Sequence, residues 1–167
     1  MLLSNTNEVV KVGIAQMDVV KVPNTIRTSG LGSCVGVVLY DESKKVAGLL
    51  HVMLPDSSLG RTETINVAKF ADTGITALVG LLKLEGIQAF KLKAKIAGGA
   101  QMFKFTSDKD SMRIGPRNVE AVKVELRKHG IPLIAEDTGG NSGRTIEFNP
   151  STCKLNIRTV NQGVSEI

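Results

Sequence analysis

Residues 34–54, CVGVVLYDESKKVAGLLHVML, decide the fold. They contain two apolar runs, Val35–Tyr40 and Val46–Leu54, on either side of the polar segment Asp41–Lys45. Two apolar runs of this length across a short polar loop are typical of an antiparallel β-hairpin. Pro55 cannot continue a ladder of hydrogen bonds, so it is expected to end the second strand.

Further strands and two helices are predicted on both sides of this hairpin. A helix is predicted over about Val67–Glu85, where apolar residues recur at helical spacing and Gly86 follows. A second helix is predicted from Pro116 to His129, because proline suits the first helical turn. Strands are expected near 9–14, 19–22, 91–97, 132–135, 144–148 and 154–160. This order predicts an α/β fold, a mixed-sheet α/β sandwich with two main helices.

Length and composition indicate one ordinary globular domain. The 167 residues suit a single domain spanning 1–167, with its core at about 10–160. Hydrophobic residues make up 42% of the chain and charged residues 22%, as in soluble proteins. Aromatic residues make up only 4%, so the core is expected to consist mainly of Val, Ile, Leu and Ala.

Charge and hydropathy argue against nucleic-acid binding and membrane insertion. The net charge is +5, but the basic residues alternate with acidic ones and have no stacking aromatics beside them. An acidic protein partner fits this surface better than nucleic acid. A run of about 18 apolar residues and a secretory signal are both missing from the sequence. Two cysteines do not form a disulfide framework, which favours a reducing, cytoplasmic location.

The hairpin is expected to bring a cysteine and a histidine together. With a four-residue loop at Asp41–Lys44, Cys34 lies directly opposite His51. Directly opposed residues share a face of the sheet, with Cβ atoms about 4.5–5.5 Å apart. A loop that differs by one residue opposes Cys34 to Val52 instead. On the first register, the imidazole can stabilise the thiolate and lower the pKa of the thiol.

Residues before the cysteine offer the other parts of a catalytic site. Gly30 and Gly32 allow a sharp turn and a close approach of substrate. The backbone N–H groups of this turn, which includes Ser33, and of Cys34 are candidate donors to an oxyanion. Thr28 is the candidate third member, because its hydroxyl or its backbone carbonyl can accept a hydrogen bond from the imidazole.

Structural roles are the alternative for these residues. Cys34 could be a small buried hydrophobic residue, and His51 a satisfied residue of the core. Cys153 has no nearby histidine in the sequence and is predicted to be structural. Cys and His do not occur at ligand spacing, so no metal site is expected. Phe103, in a segment rich in Met and Lys, fits a partner-binding patch and a core position equally well.

Several motifs, in order along the chain, resemble the CheD family of chemoreceptor glutamine deamidases. They are GLGSCV at 30–35, HVMLP at 51–55, KFAD at 69–72, KIAGGAQMF at 95–103, IGPRN at 114–118 and GGNSGR at 139–144. The resemblance covers nearly the whole chain, from about Val10 to Val160. It implies an α/β sandwich similar to the deamidase domain of cytotoxic necrotizing factor toxins.

The resemblance also implies a chemistry and two partners. It implies a catalytic triad of Cys34 as nucleophile, His51 as base and Thr28 as third member, without metal or organic cofactor. The implied reaction converts glutamine to glutamate on the cytoplasmic region of methyl-accepting chemotaxis receptors through a Cys thioester. The second implied partner is the CheC phosphatase, whose activity is modulated, and its surface is expected near the active-site mouth and Phe103. The alternatives are a non-catalytic chemotaxis regulator that acts by protein binding, and a cysteine protease or transglutaminase.

Overall fold

A computed structural model of the chain describes residues 7–60, 66–102 and 113–167. Phe103, the candidate partner contact, lies outside the described residues. Short 3-10 turns occupy Ser57–Leu59, Val67–Lys69 and Ala89–Lys91. The strands and helices of the described residues are β1 (Val9–Val12), β2 (Met17–Lys21), β3 (Thr25–Leu31), β4 (Val35–Asp41), β5 (Val46–Val52), α1 (Ala71–Leu84), β6 (Lys93–Gly98), α2 (Ile114–Lys128), β7 (Leu133–Thr138), β8 (Arg144–Asn149), β9 (Lys154–Thr159) and β10 (Gly163–Glu166).

The strands form two mixed sheets of five strands each. Sheet A has the order β1-β3-β8-β9-β10, and sheet B has the order β2-β5-β4-β6-β7. Pairs β1–β3 and β6–β7 are parallel, and the other pairs are antiparallel. Helix α1 packs on β2 and β5, and helix α2 packs on β4, β6 and β7. The layers are therefore helices, sheet B and sheet A, which confirms the predicted mixed-sheet α/β sandwich with two main helices.

Strand β4 is buried on both faces, which explains its uninterrupted apolar sequence. Its odd-numbered residues, such as Val37 and Leu39, belong to the core under the helices. Its even-numbered residues, such as Val38 and Tyr40, face sheet A. We call the second cluster the inter-sheet core; its fully buried side chains are Ile26, Leu31, Val38, Ala47, Leu49, Ala97, Ile146, Phe148, Leu155 and Ile157.

The register of the β4–β5 hairpin differs from the predicted one. Gly36, not Cys34, pairs with His51, so the prediction that Cys34 lies directly opposite His51 is wrong. The four-residue loop occupies positions 42–45 instead of 41–44. Moving both ends of the loop by one residue shifts the pairing by two. Because side chains alternate with a period of two, Cys34 and His51 stay on the same face.

The loop is displaced because Asp41 remains in the strand and organises the turn. Its Oδ1 accepts from the backbone N–H groups of Ser43 at 2.9 Å and Lys44 at 3.2 Å. The N–H of Lys45 donates to the Asp41 carbonyl at 3.0 Å, and Lys45 adopts φ 57°. An aspartate that hydrogen-bonds the N–H groups just after it is a common turn device, and it fixes where the loop begins.

Two strands were not predicted. Strand β3 lies between β1 and β8, but Pro23 stands two residues before its start and Gly30 near its end, and both resemble turn signals. Gly30 has φ 73°, and the pairing of β3 with β8 shifts between Thr28 and Leu31. Strand β10 is exposed along its whole length, so it has no apolar pattern to detect. Within the described ranges, no helix has both the length and the apolar character needed to cross a membrane.

Candidate active site

Three elements place the candidate catalytic residues at one end of the inter-sheet core. Thr28 comes from β3 in sheet A, His51 from β5 in sheet B, and Cys34 directly precedes β4. Thr28 and His51 are buried, with 2% and 0% of their surface exposed, whereas Cys34 is half-buried. The site is therefore assembled across the two sheets, and neither sheet contains it alone.

A short hydrogen bond joins Thr28 to His51 and fixes the tautomer of the ring. Oγ1 of Thr28 lies 2.7 Å from Nδ1 of His51 and also donates to the carbonyl of Val12 at 2.7 Å. A hydroxyl can donate only one hydrogen bond, and Oγ1 of Thr28 donates it to the carbonyl of Val12. Oγ1 must then accept from Nδ1–H, which leaves Nε2 unprotonated. Nε2 is buried and has no hydrogen-bond partner among the described residues.

Cys34 continues the side-chain alternation of β4. The N–H of Gly99 donates to the Cys34 carbonyl at 2.8 Å, which extends the β4–β6 ladder by one residue. The Cys34 side chain accordingly packs against the inter-sheet core, on the face of sheet B that carries His51. Since Gly36 is directly opposite His51, Cys34 is its diagonal neighbour. Diagonal neighbours lie about 7–8 Å apart between Cα atoms, which an aromatic ring can span.

Burial keeps both reactive groups neutral at neutral pH. Burial raises the pKa of the Cys34 thiol, and a hydrogen bond from its own backbone N–H opposes this rise. Burial also lowers the pKa of His51 to about 4. The predicted lowering of the Cys34 pKa by an imidazolium is therefore wrong for this structure. Loss of hydration disfavours thiolate and imidazolium alike, and Thr28 brings no charge to compensate.

The glycine-rich segment before Cys34 forms a tight turn. The N–H of Gly32 donates to the Gly30 carbonyl at 3.1 Å, so it is engaged within the turn. The N–H groups of Ser33 and Cys34 donate to no backbone carbonyl of the described residues. Of the predicted oxyanion donors, Ser33 and Cys34 therefore have backbone N–H groups that no carbonyl of the described residues engages, whereas Gly30 and Gly32 shape the turn.

Asn118, which was not predicted as a site residue, holds this turn in place. It is fully buried, and its Nδ2 donates to the carbonyls of Ser33 and Met53, each at 2.9 Å. Asn118 thereby links the turn to the residue that follows β5. A signal was present in the sequence: Asn118, Val122 and Leu126 recur every four residues, so an amide stands in an otherwise apolar stripe of α2.

The family model described as CheD chemotactic sensory transduction matches residues 53–159. The chain belongs to the CheD family. The chemoreceptor glutamine deamidase CheD of Halalkalibacterium halodurans is 62% identical over 161 residues, which cover 96% of this chain and 99% of that protein. The protein of the same name from Bacillus subtilis is 58% identical over 159 residues, 95% of this chain and 96% of that protein. The expected CheD membership is confirmed.

One solved structure was also compared with this CheD-family fold. The crystal structure of the Bacillus licheniformis hypothetical protein YfiH has a TM-score of 0.46 and 17% sequence identity. The match covers 75% of this chain and 51% of that one. Residues 7–60, 66–102 and 113–167 contain no cluster of three or more His, Cys, Asp or Glu side chains that could hold a metal ion.

Proposed function

We propose that the chain is a chemoreceptor glutamine deamidase, a protein-glutamine glutaminase that uses Cys34 as its nucleophile. The observation that carries this proposal is the Thr28–His51 hydrogen bond, which leaves Nε2 free to accept a proton on the face shared with Cys34. Relatives that align over 95% or more of this chain are named for this activity, which supports the substrate class.

In the acylation step, a receptor glutamine presents its side-chain amide to the Cys34 thiol. Because thiol and imidazole are both neutral at rest, the thiol proton moves to Nε2 of His51 as Sγ attacks the carboxamide carbon. The carbonyl electron pair moves onto oxygen, and the free N–H groups of Ser33 and Cys34 are the donors that stabilise it. Oγ1 of Thr28 holds the ring through Nδ1 during this transfer.

The remaining steps return every group to its resting state. The tetrahedral intermediate expels ammonia, which takes its proton from Nε2 of His51, and a thioester to Cys34 remains. A water molecule then attacks the thioester while Nε2 accepts its proton. Glutamate leaves as the C–S bond breaks, and the proton on Nε2 returns to the sulfur. One water is consumed and one ammonia released for each glutamine.

Substitution of Cys34 tests this mechanism. Cys34→Ala is expected to abolish ammonia release from a purified chemoreceptor cytoplasmic fragment, together with the conversion of its glutamines to glutamates seen by mass spectrometry. Cys153→Ala is the matched control, because the other cysteine lies in the turn before β9, and this variant should remain active. A thioester should be trapped on Cys34 by acid quenching. Ammonia release by Cys34→Ala would disprove the nucleophile, and a purely regulatory protein would release none even as wild type.

CheC binding and a cytoplasmic location belong to the same proposal. The resemblance to the CheD family supports both, since the receptor glutamines lie on the cytoplasmic side. Met102, the chain neighbour of Phe103, is 45% exposed and packs beside Gly32. A CheC molecule that contacts Met102 would therefore cover the turn before Cys34 and compete with the receptor, and Phe103, next in the chain, is the proposed further contact. Phe103→Glu should weaken the inhibition of deamidation by added CheC; unchanged inhibition would count against this placement.

A further inference from the structure

The turn before Cys34 is fixed to the protein through its carbonyl groups. Two of the three consecutive carbonyls are held by the backbone at the end of β6, and the middle one is held by a side chain. The carbonyls of Gly32, Ser33 and Cys34 accept, in that order, from the N–H of Ala100 at 2.8 Å, Nδ2 of Asn118 at 2.9 Å and the N–H of Gly99 at 2.8 Å. Of these three anchors, the amide of Asn118 is the one that a substitution can remove.

Holding the Ser33 carbonyl also orients the N–H of Cys34. The Ser33–Cys34 peptide is trans, and in a planar trans peptide the C=O and the N–H point in opposite directions. Asn118 reaches the carbonyl from α2, so the N–H of Cys34 points away from that helix. This N–H donates to no backbone carbonyl of the described residues, so it is available to an oxyanion formed when Sγ of the same residue attacks a substrate carbonyl.

We propose that Asn118 is a positioning residue that aims the Cys34 N–H into the oxyanion hole. This inference rests on the proposed function and deepens it. Both hydrogens of the Asn118 amide are used, one on the Ser33 carbonyl and one on that of Met53. Its Oδ1 is buried without a partner among the described residues. A buried unpaired amide oxygen opposes folding, so packing alone would favour an apolar side chain here.

Asn118 stands on a rigid part of α2. Gly115, in the first turn of the helix, lies so close to the carbonyls of Gly99 and Ala100 that a side chain there would overlap them. Gly99 in turn leaves no room for a Cβ beside Val119. The start of α2 is thus locked against the segment that also anchors the turn. An amide on this helix can hold a peptide plane with little freedom to drift.

The experiment compares two reactions of the same sulfur in Asn118→Leu, with Asn118→Ala as a second variant. Leucine keeps the volume of the side chain but has no donors. Deamidation of a purified receptor fragment passes through an oxyanion, whereas alkylation by iodoacetamide at an sp3 carbon does not. Removing one oxyanion donor costs on the order of 100-fold in kcat, which is the loss expected for deamidation. KM and the alkylation rate, measured across pH, should stay within about threefold of wild type.

Val122→Ala is the matched control, because Val122 lies one turn further on the same face of α2 and is equally buried. It should lower stability but keep kcat within about threefold. Wild-type kcat in both Asn118 variants overturns the inference. Equal losses in deamidation and alkylation also overturn it, since Asn118 would then support the thiol itself. A wild-type protein that releases no ammonia refutes the proposed function, whereas an active wild type with active variants refutes only the role of Asn118.

Discussion

His51 shows how one hydrogen bond sets the chemistry available to a side chain. Oγ1 of Thr28 accepts from Nδ1–H and donates its own hydrogen bond to the Val12 carbonyl, so Nε2 is the nitrogen that can take a proton. A threonine orients the ring without adding negative charge, and burial then keeps the pKa of His51 at about 4. The hairpin and the family motifs together pointed to Cys34, His51 and Thr28. Their protonation could not be predicted, because burial is a property of the folded chain.

The depressed pKa of His51 predicts a pH-dependent stability. The unfolded chain has the ordinary histidine pKa of about 6.5, and the folded chain has about 4. As pH falls through this window the unfolded state binds the proton first, so stability is present above about 6.5 and is lost toward about 4. The difference corresponds to roughly 3 kcal/mol in the free energy of unfolding.

Urea unfolding of wild type and His51→Gln at several pH values checks this expectation. Glutamine does not titrate, so the variant should lose less stability on acidification than the wild type. Other groups, such as Asp41 with its lowered pKa, contribute to both proteins and cancel in the difference. Parallel stability curves for the two proteins would show that His51 is not the buried neutral base described above.

At the scale of secondary structure, the β4–β5 hairpin shows which features a sequence pattern can predict and which it cannot. Its two strands were predicted from their apolar runs, but the register was two residues away because Asp41 organises the loop. Strand β3 was missed because glycine and serine near its end signal a turn, although it pairs with β1 on one side and β8 on the other. Patterns locate elements that bury a face; side-chain hydrogen bonds and neighbours from distant parts of the chain set their pairing.

Gly98, at the end of β6, packs directly against Cys34, the proposed nucleophile. It has φ 114°, and a Cβ there would overlap the carbonyl oxygen of Cys34. Gly98→Ala is therefore expected to destabilise the protein by about 1–3 kcal/mol and to lower kcat, because Cys34 must move. Thermal unfolding and ammonia release measure the two effects.

Gly80 provides the comparison, since it lies on the exposed side of α1 and a Cβ there meets nothing within 4 Å. Gly80→Ala should raise the free energy of unfolding by about 0.5–1 kcal/mol and leave kcat unchanged. Equal effects of the two alanines would mean that the close contact at Gly98 does not matter.

For the whole molecule, the important fact is that the site joins two sheets that share one core. Thr28 belongs to sheet A, whereas His51 belongs to sheet B and Cys34 directly precedes strand β4 of that sheet. Cδ1 of Ile146, from sheet A, fills the space where a side chain at Gly36 would lie, directly opposite His51. The layer arrangement could be predicted from element order, but this interdigitation depends on which residues of the two sheets meet.

Two isoleucine substitutions separate the role of the inter-sheet core from that of general packing. Ile146→Val removes the Cδ1 beside Gly36, and Ile75→Val makes the same change under the helices; both side chains are fully buried. Each should cost about 0.5–1.5 kcal/mol in stability. Ile146→Val alone should also lower kcat, measured at a temperature where both variants are folded. Equal kcat values would show that the spacing of the sheets does not control the catalytic geometry.

The neutrality of the Cys34 thiol at rest affects how fast oxidants can attack it. Peroxide attacks thiolates, and the oxidation of cysteine to sulfenic acid slows as the thiolate fraction falls. Since burial raises the pKa of Cys34, we expect its reaction with hydrogen peroxide to be slower than that of free cysteine at the same pH. Such an enzyme would survive bursts of oxidant between encounters with its receptor.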